Sequence, residues 1–244
     1  MCELSPVSFP PGVSVGIDLA GVPRRETGIA VLRDGRLDLL TSAFGDDQIL
    51  ALATCMDHDA CVAINAPLGR PRGRCCLDDA CACRYDPGTR SRESERELLH
   101  LGVPILATAL IKVLARRGYA LGTALRGAGW EPLEVYPYAT LRLLGLPCRG
   151  KRTRLGRQRI HAALQPLIPG LAHAGASEHQ LDAVICAYTG QLWRQGLTRM
   201  VGAADEGLLV IPDLAASAAR DEAMHGSARR VAETQAAYST QPIA

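Results

Sequence analysis

The sequence predicts an α/β protein built on a mixed sheet, and three observations carry that prediction. The N-terminal third runs as three short strands in a meander, a helix then precedes a fourth strand, and strand-like and helix-like segments go on alternating to Asp213. Neighbouring strands of a meander are antiparallel. A strand reached through a helix is parallel to one of its predecessors, so the sheet contains both senses of pairing.

The elements follow in order. "VSVGIDLAG" sets Val13, Val15, Ile17 and Leu19 on one face and Ser14, Gly16 and Asp18 on the other, the period of a half-buried strand. After the loop from Gly21 to Glu26, "TGIAVLRDGRLDLLTSA" reads as two strands joined at Asp34-Gly35, a hairpin dipeptide. Asp46 and Asp47 open a helix whose apolar stripe is Ile49, Leu50, Leu52, Ala53 and Met56. The fourth strand, Cys61 to Ile64, stops at Asn65, with Pro67 and Gly69 close behind. Residues 70–90 form a loop rich in Arg, Cys, Asp, Pro and Gly. One helix follows from about Ser91 to Leu101. A longer one starts near Pro104, with Leu106, Leu110, Val113 and Leu114 in its stripe.

"EPLEVYP" is a short fifth strand, Leu133 and Val135 facing away from Glu134 and Tyr136. A short helix, a basic segment and another helix lead to "ASEHQLDAVICAYTGQLW". There Ser177 and Gln180 make a capping box, and Leu181, Val184, Ile185, Tyr188 and Leu192 form the apolar stripe. "TRMVGAADEGLLVIPD" closes the core as a hairpin. The expected organisation is an N-terminal extension (1–12), one domain (13–213) and an Ala-rich C-terminal helix or flexible tail (214–244).

The 244 residues are 48 % hydrophobic with a formal net charge of +2, enough for a substantial core. "MCELSPVSFPPG" lacks the basic and apolar regions of a signal peptide. No apolar run approaches the roughly 20 residues that span a bilayer. The expectation is a soluble, cytoplasmic protein with no membrane partner. Nine cysteines, an odd number with a cluster, fit a reducing compartment better than a secreted disulfide scaffold.

Three acids stand out by position. Asp18 and Glu134 each interrupt a strand-like run off its apolar face, and Asp182 lies near the start of an apolar helix, one turn after Glu178. Acids inside buried elements are costly unless paired or bound to a metal. Each acid alone is explained by a cap or an arginine partner. Gathered from separate elements, they make a hard-cation site for Mg²⁺ or Mn²⁺, whose ions can activate a water against a phosphodiester.

"GIDLAG…TGIAVL", "AINAPLG", "RSRESERELLHLGVP", "EVYPYATLRLLG", "LDAVICAYTGQLW" and "EGLLVIPD" together resemble a widespread prokaryotic family, domain of unknown function 429, described as predicted nucleases with an RNase H-like fold. The match runs in order from about Val13 to Asp213. The resemblance implies a five-stranded mixed sheet of order 3-2-1-4-5 with flanking helices, carrying here a Cys-rich loop insertion and an added C-terminal hairpin. It places Asp18 mid-strand, the Asn65 position at the end of the adjacent fourth strand, and Asp182 on the last core helix, meeting at one edge of the sheet. The family usually reads "AIDAPLG" where this chain has "AINAPLG". An amide still offers a carbonyl oxygen to a cation, but a full negative charge is lost unless Glu134 or Glu178 supplies it.

Residues and resemblance together give the expected function: a metal-dependent nuclease or phosphodiesterase acting through metal-activated water. Asp18, Glu134 and Asp182 are its catalytic acids, and Asp18, Asn65, Glu134, Glu178 and Asp182 its ligands. Lys151, Arg152, Arg154, Arg157 and Arg159 form a basic run without an acid, read either as a solvated face or as a footprint for nucleic-acid phosphates. A rival reading keeps the scaffold and nucleic-acid binding without turnover, favoured by Asn65. A second rival is nucleotide phosphate chemistry, because "GIDLAG…TGIAVL" also loosely resembles the first phosphate loop of the actin and sugar-kinase superfamily. No further phosphate motif and no P-loop accompanies it.

"RCCLDDACACRYD" puts Cys75, Cys76, Cys81 and Cys83 within nine residues. Four soft ligands suffice for a structural zinc or an iron–sulfur centre. The spacing is not a pair of C-x-x-C knuckles, and a thiol-rich redox loop satisfies it as well.

Overall fold

Asp34 and Gly35 both adopt positive φ, 52° and 76°, and this tight turn folds β2 back on β3 as the dipeptide predicts. The computed structural model describes residues 11–56, 59–85, 90–171, 176–213 and 215. Apart from residues 11, 12 and 215, the expected N-terminal extension and C-terminal segment lie outside these.

The chain runs β1 (Val13–Asp18), β2 (Thr27–Arg33), β3 (Arg36–Ala43), α1 (Asp46–Thr54), β4 (Cys61–Ile64), α2 (Glu93–His100), α3 (Lys112–Gly127), β5 (Leu133–Val135), α4 (Pro137–Leu143), α5 (Arg154–Leu164), α6 (Glu178–Arg194), β6 (Thr198–Val201) and β7 (Leu209–Pro212). The fold is mixed α/β, with helices on both faces of one sheet of order β3-β2-β1-β4-β5-β7-β6. β1 pairs antiparallel with β2 and parallel with β4. The expected order 3-2-1-4-5 is present, but the sheet has seven strands, not five. The closing hairpin is continuous with the sheet because β7 pairs parallel with β5.

One core cluster joins Val15, Ile17, Val31 and Ile64 to α1 and α3; a second joins Ala30 and Leu32 to α4, α5 and α6. β1 is therefore buried on both faces rather than half-buried. Its polar-looking face reads as exposed in sequence because Ser14 and Gly16 carry little apolar surface, yet α6 lies directly on it. The glycines permit this approach. A Cβ at Gly16 would overlap the Ala183 carbonyl oxygen of α6, and one at Gly28 the His179 carbonyl oxygen. Gly16→Ala is expected to cost about 1–3 kcal/mol or more, read in urea unfolding as a lower midpoint at unchanged slope.

The helix expected from Pro104 begins at Lys112, after a 3₁₀ turn at Thr108–Leu110. Leu106, Leu110 and Val113, three residues of its expected stripe, are exposed. The face that packs inward carries Ala115, Gly118, Leu121, Gly122 and Leu125. A Cβ at Gly118 would come within 2.6 Å of the Pro67 carbonyl oxygen, so the contact surface is built from absent side chains that hydrophobicity does not register. No described helix is long and apolar enough to cross a membrane.

Candidate functional site

β1 and β4 run parallel with Ile17 opposite Ile64, and the Asn65 amide continues the pairing onto the Ile17 carbonyl at 2.8 Å. The next residues along, Asp18 and Asn65, therefore stand side by side, and Asn65 Nδ2 donates to Asp18 Oδ1 at 2.5 Å. Asp18 is only 5 % exposed.

The first turn of α6 is fixed above this point. Ser177 and Gln180 form the predicted capping box. Ser177 Oγ also donates to Glu26 Oε1 at 2.7 Å, an oxygen that accepts Ser42 Oγ of β3 as well. With the helix backbone against Gly16 and Gly28, His179 reaches Asp18: its Nδ1 lies 2.6 Å from Oδ2. Asp182, on the same helical face three residues later, is 3 % exposed and pairs with Lys151 Nζ. Lys151 also stands 3.9 Å from Glu178 Oε1.

The charges here are strained by burial. Asp182 is pushed up to about 7, first by desolvation and then by the charge of Asp18, with Lys151 pulling the other way. Burial works against the Lys151 ammonium, but Asp182, Asp18 and Glu178 outweigh it and hold the ammonium above its ordinary range. His179 is raised chiefly by its hydrogen bond to Asp18, burial opposing.

The structure thus brings together Asp18, Asn65, Glu178, Asp182 and Lys151. His179 joins them. Sequence reasoning passed over it: its place three residues before Asp182 sets the two on one helical face, but nothing local says that this face meets Asp18.

Glu134 is elsewhere. It is the β5 partner of Ile64, and paired residues of parallel strands point to the same side, so it shares the side of Ile17 and Ile64, opposite Asp18. Alternation along β5 could not reveal this, since it does not say which face each set occupies. Glu134 is 4 % exposed and binds the Arg92 guanidinium through both carboxylate oxygens, Arg92 Nη1 lying 2.8 Å from Oε2. It also accepts the Leu68 amide at 2.7 Å. Arg92 Nε reaches Glu95, whose Oε1 accepts the Thr108 amide at 3.0 Å. Buried Glu206 accepts the amides of Arg72 (2.7 Å) and Glu93 (2.5 Å). Glu134 and Glu206 thus tie the loop after β4 to the start of α2, and Glu95 ties α2 to Thr108.

Of the basic run, Lys151 belongs to the acidic site and Arg157 donates to the carbonyls of Lys151 and Arg152 at 3.2 Å. Arg152, Arg154 and Arg159 are exposed around the start of α5. Cys75, Cys76, Cys81 and Cys83 come together, all four sulfurs within 4.8 Å of one another, so they can hold a metal ion such as zinc. Among the described residues, no carboxylate or histidine group gathers as tightly.

Both Asp18 oxygens and one Asp182 oxygen are engaged within the protein, by Asn65, His179 and Lys151. They are hard oxygens, and Mg²⁺ takes one or two carboxylates and completes its shell with water. The Asp182 carboxyl is raised first by its burial and then by the charge of Asp18, and the Lys151 ammonium does not fully offset the two. Asn65 offers its carbonyl oxygen if the amide reverses.

Fold and site define a class: a mixed-sheet α/β protein with buried acids on β1 and α6, near enough that the charge of Asp18 raises Asp182, beside the end of β4. A family model described as protein of unknown function (DUF429) matches residues 16–206, and the chain belongs to that family. The matched segment spans every residue of the acidic site. No curated protein and no solved structure matches the chain.

Proposed function

We propose that the protein is an RNase H-like, metal-dependent nuclease or phosphodiesterase acting on nucleic acid, with Asp18 and Asp182 as its metal-holding acids. The observation that carries this reading is the gathering of two buried acids from separate elements, Asp18 of β1 and Asp182 of α6, with a single lysine on Asp182; burial first, and then the charge of Asp18, raises the Asp182 carboxyl to about 7. The order β3-β2-β1-β4-β5 supports the RNase H-like assignment. Mg²⁺ or Mn²⁺ bound there would supply charge stabilisation and water activation. The chain's own residues do the rest. Asn65 and His179 hold the two oxygens of Asp18, Gly16 and Gly28 let α6 bring Asp182 in, and exposed Arg152, Arg154 and Arg159 offer guanidinium groups to a phosphate backbone.

The test is cleavage of single-stranded, duplex, hybrid and branched DNA and RNA with Mn²⁺, Mg²⁺ or chelator. Cleavage that needs the metal is expected. Turnover undiminished by chelator would refute the reading.

A second reading has its own support. Lys151 on Asp182 and the Asn65 amide on Asp18 partly neutralise the site from within. The protein would then bind nucleic acid without turning it over. Asn65→Asp separates the two. Without metal, the introduced carboxylate would stand against that of Asp18, and the repulsion would lower stability. With metal, affinity should rise about 10- to 100-fold, the scale of changes around metal ligands. In the nuclease reading the variant speeds an activity the natural protein already has. In the binding reading it creates one. Calorimetric titration with Mn²⁺ beside the cleavage assay reads both.

A further inference from the structure

We infer that Cys75, Cys76, Cys81 and Cys83 form a mononuclear zinc tetrathiolate that fixes the loop following β4, a site separate from the acidic one. Three observations carry this.

The first is geometry. Cys75 Sγ lies 3.4 Å from Cys81 Sγ, Cys76 Sγ lies 3.9 Å from Cys83 Sγ, and the whole set is within 4.8 Å. Four sulfurs at roughly 2.3 Å from one tetrahedral zinc stand about 3.8 Å apart. In a multi-iron cluster the thiolates are shared among separate irons, which would spread them beyond this spacing.

The second is charge. A zinc tetrathiolate is doubly negative, and the loop's own cations lie around it. Arg70 Nη1 donates to the Cys75 carbonyl, Arg74 Nε donates to the Cys76 carbonyl at 3.0 Å, and Arg84 donates to the Asp79 carbonyl. Through these carbonyl contacts the guanidinium groups place positive charge on the loop that would carry the doubly negative site, whose thiols lose their protons when zinc binds.

The third is the poverty of the loop's core. Residues 70–85 bury only Pro71 and Leu77 as apolar side chains, with a 3₁₀ turn at Ala82–Tyr85 as their one regular element. Such a segment buries too little to offset the entropy of ordering it, and a metal cross-link supplies what the core lacks. The ordered loop is then joined to α3, through Lys112 to Asp79 and Arg70 Nη2 to Tyr119 Oη at 2.7 Å. Through Gly69, Leu68 and Pro67 it leads straight back to Asn65.

The experiment uses the full chain, purified without a metal-binding tag, with metal content measured by plasma mass spectrometry. One zinc per chain is expected in the natural protein, and none in folded Cys75→Ser/Cys83→Ser. Should that variant fail to fold, the natural protein still answers. Exchange of zinc for Co²⁺ should give intense thiolate charge-transfer absorption and the visible bands of a tetrahedral ion. Chelation should raise hydrogen exchange across residues 70–85 while the strands stay protected. Zinc-free protein with these thiols in disulfides, bound iron with sulfide, or an octahedral Co²⁺ spectrum would each overturn the assignment. None of these readouts depends on nuclease activity.

Discussion

Asp18→Asn is expected to abolish metal-dependent cleavage, a loss at least as large as the hundred- to thousandfold that follows removal of one oxyanion donor in other enzymes, on the order of 3–4 kcal/mol. The substitution keeps size and burial but removes the charge that both Asn65 and His179 address. Two further readouts show that the charge, not the fold, is responsible. With Asp18 neutral, Asp182 loses the second cause of its raised pKa, and its carboxyl should titrate below about 7, burial still holding it above an exposed aspartate. His179 loses the first cause of its own upward shift and should deprotonate at lower pH. Both shifts are measurable by NMR titration. Full activity in the variant would remove Asp18 from the chemistry. Asp182→Asn should lose activity likewise and should free the Lys151 ammonium from its nearest carboxylate.

Glu134→Ala should act through the fold instead. Arg92 is 1 % exposed, and Glu134 takes both of its terminal nitrogens and the Leu68 amide. Removing one partner of a buried pair leaves an uncompensated charge, at a cost of about 3–5 kcal/mol. That is a large fraction of the roughly 5–15 kcal/mol by which domains are stable. Urea unfolding should show it directly. Glu134→Leu combined with Arg92→Met should recover much of the loss, because apolar residues of similar volume replace such pairs well. Glu134→Gln, still able to accept from Leu68, should leave the specific activity of the folded fraction within a few-fold of the natural protein. A selective loss of cleavage at unchanged stability would return Glu134 to the metal site.

These two acids show what the sequence could and could not reveal. Both interrupt a strand off its apolar face, and by pattern they are equivalent. The difference is register: Ile17, Ile64 and Glu134 align across three strands, so Glu134 and Asp18 emerge on opposite faces. Pairing across long separations is invisible to local periodicity. What was legible is local chemistry: Asp34-Gly35 at its turn, Ser177 with Gln180 at the α6 cap, the β4 stop at Asn65, the meander and the crossover. What escaped was written in small residues. Gly16, Gly28 and Gly118 mark where backbones touch, and they explain the second buried face of β1 and the small-residue face that α3 turns inward. His179 escaped because a polar residue in a first helical turn commonly faces water, and only the seating of α6 on those glycines turns it onto Asp18.

The most direct test of the account is anomalous diffraction from a Mn²⁺-soaked crystal of the protein. The expected result is a manganese peak between Asp18 and Asp182, with the Lys151 ammonium withdrawn from Asp182 and the Asn65 carbonyl oxygen turned toward the ion. A map with no peak there, Lys151 still on Asp182 and Asn65 Nδ2 still on Asp18 at saturating Mn²⁺, would contradict it.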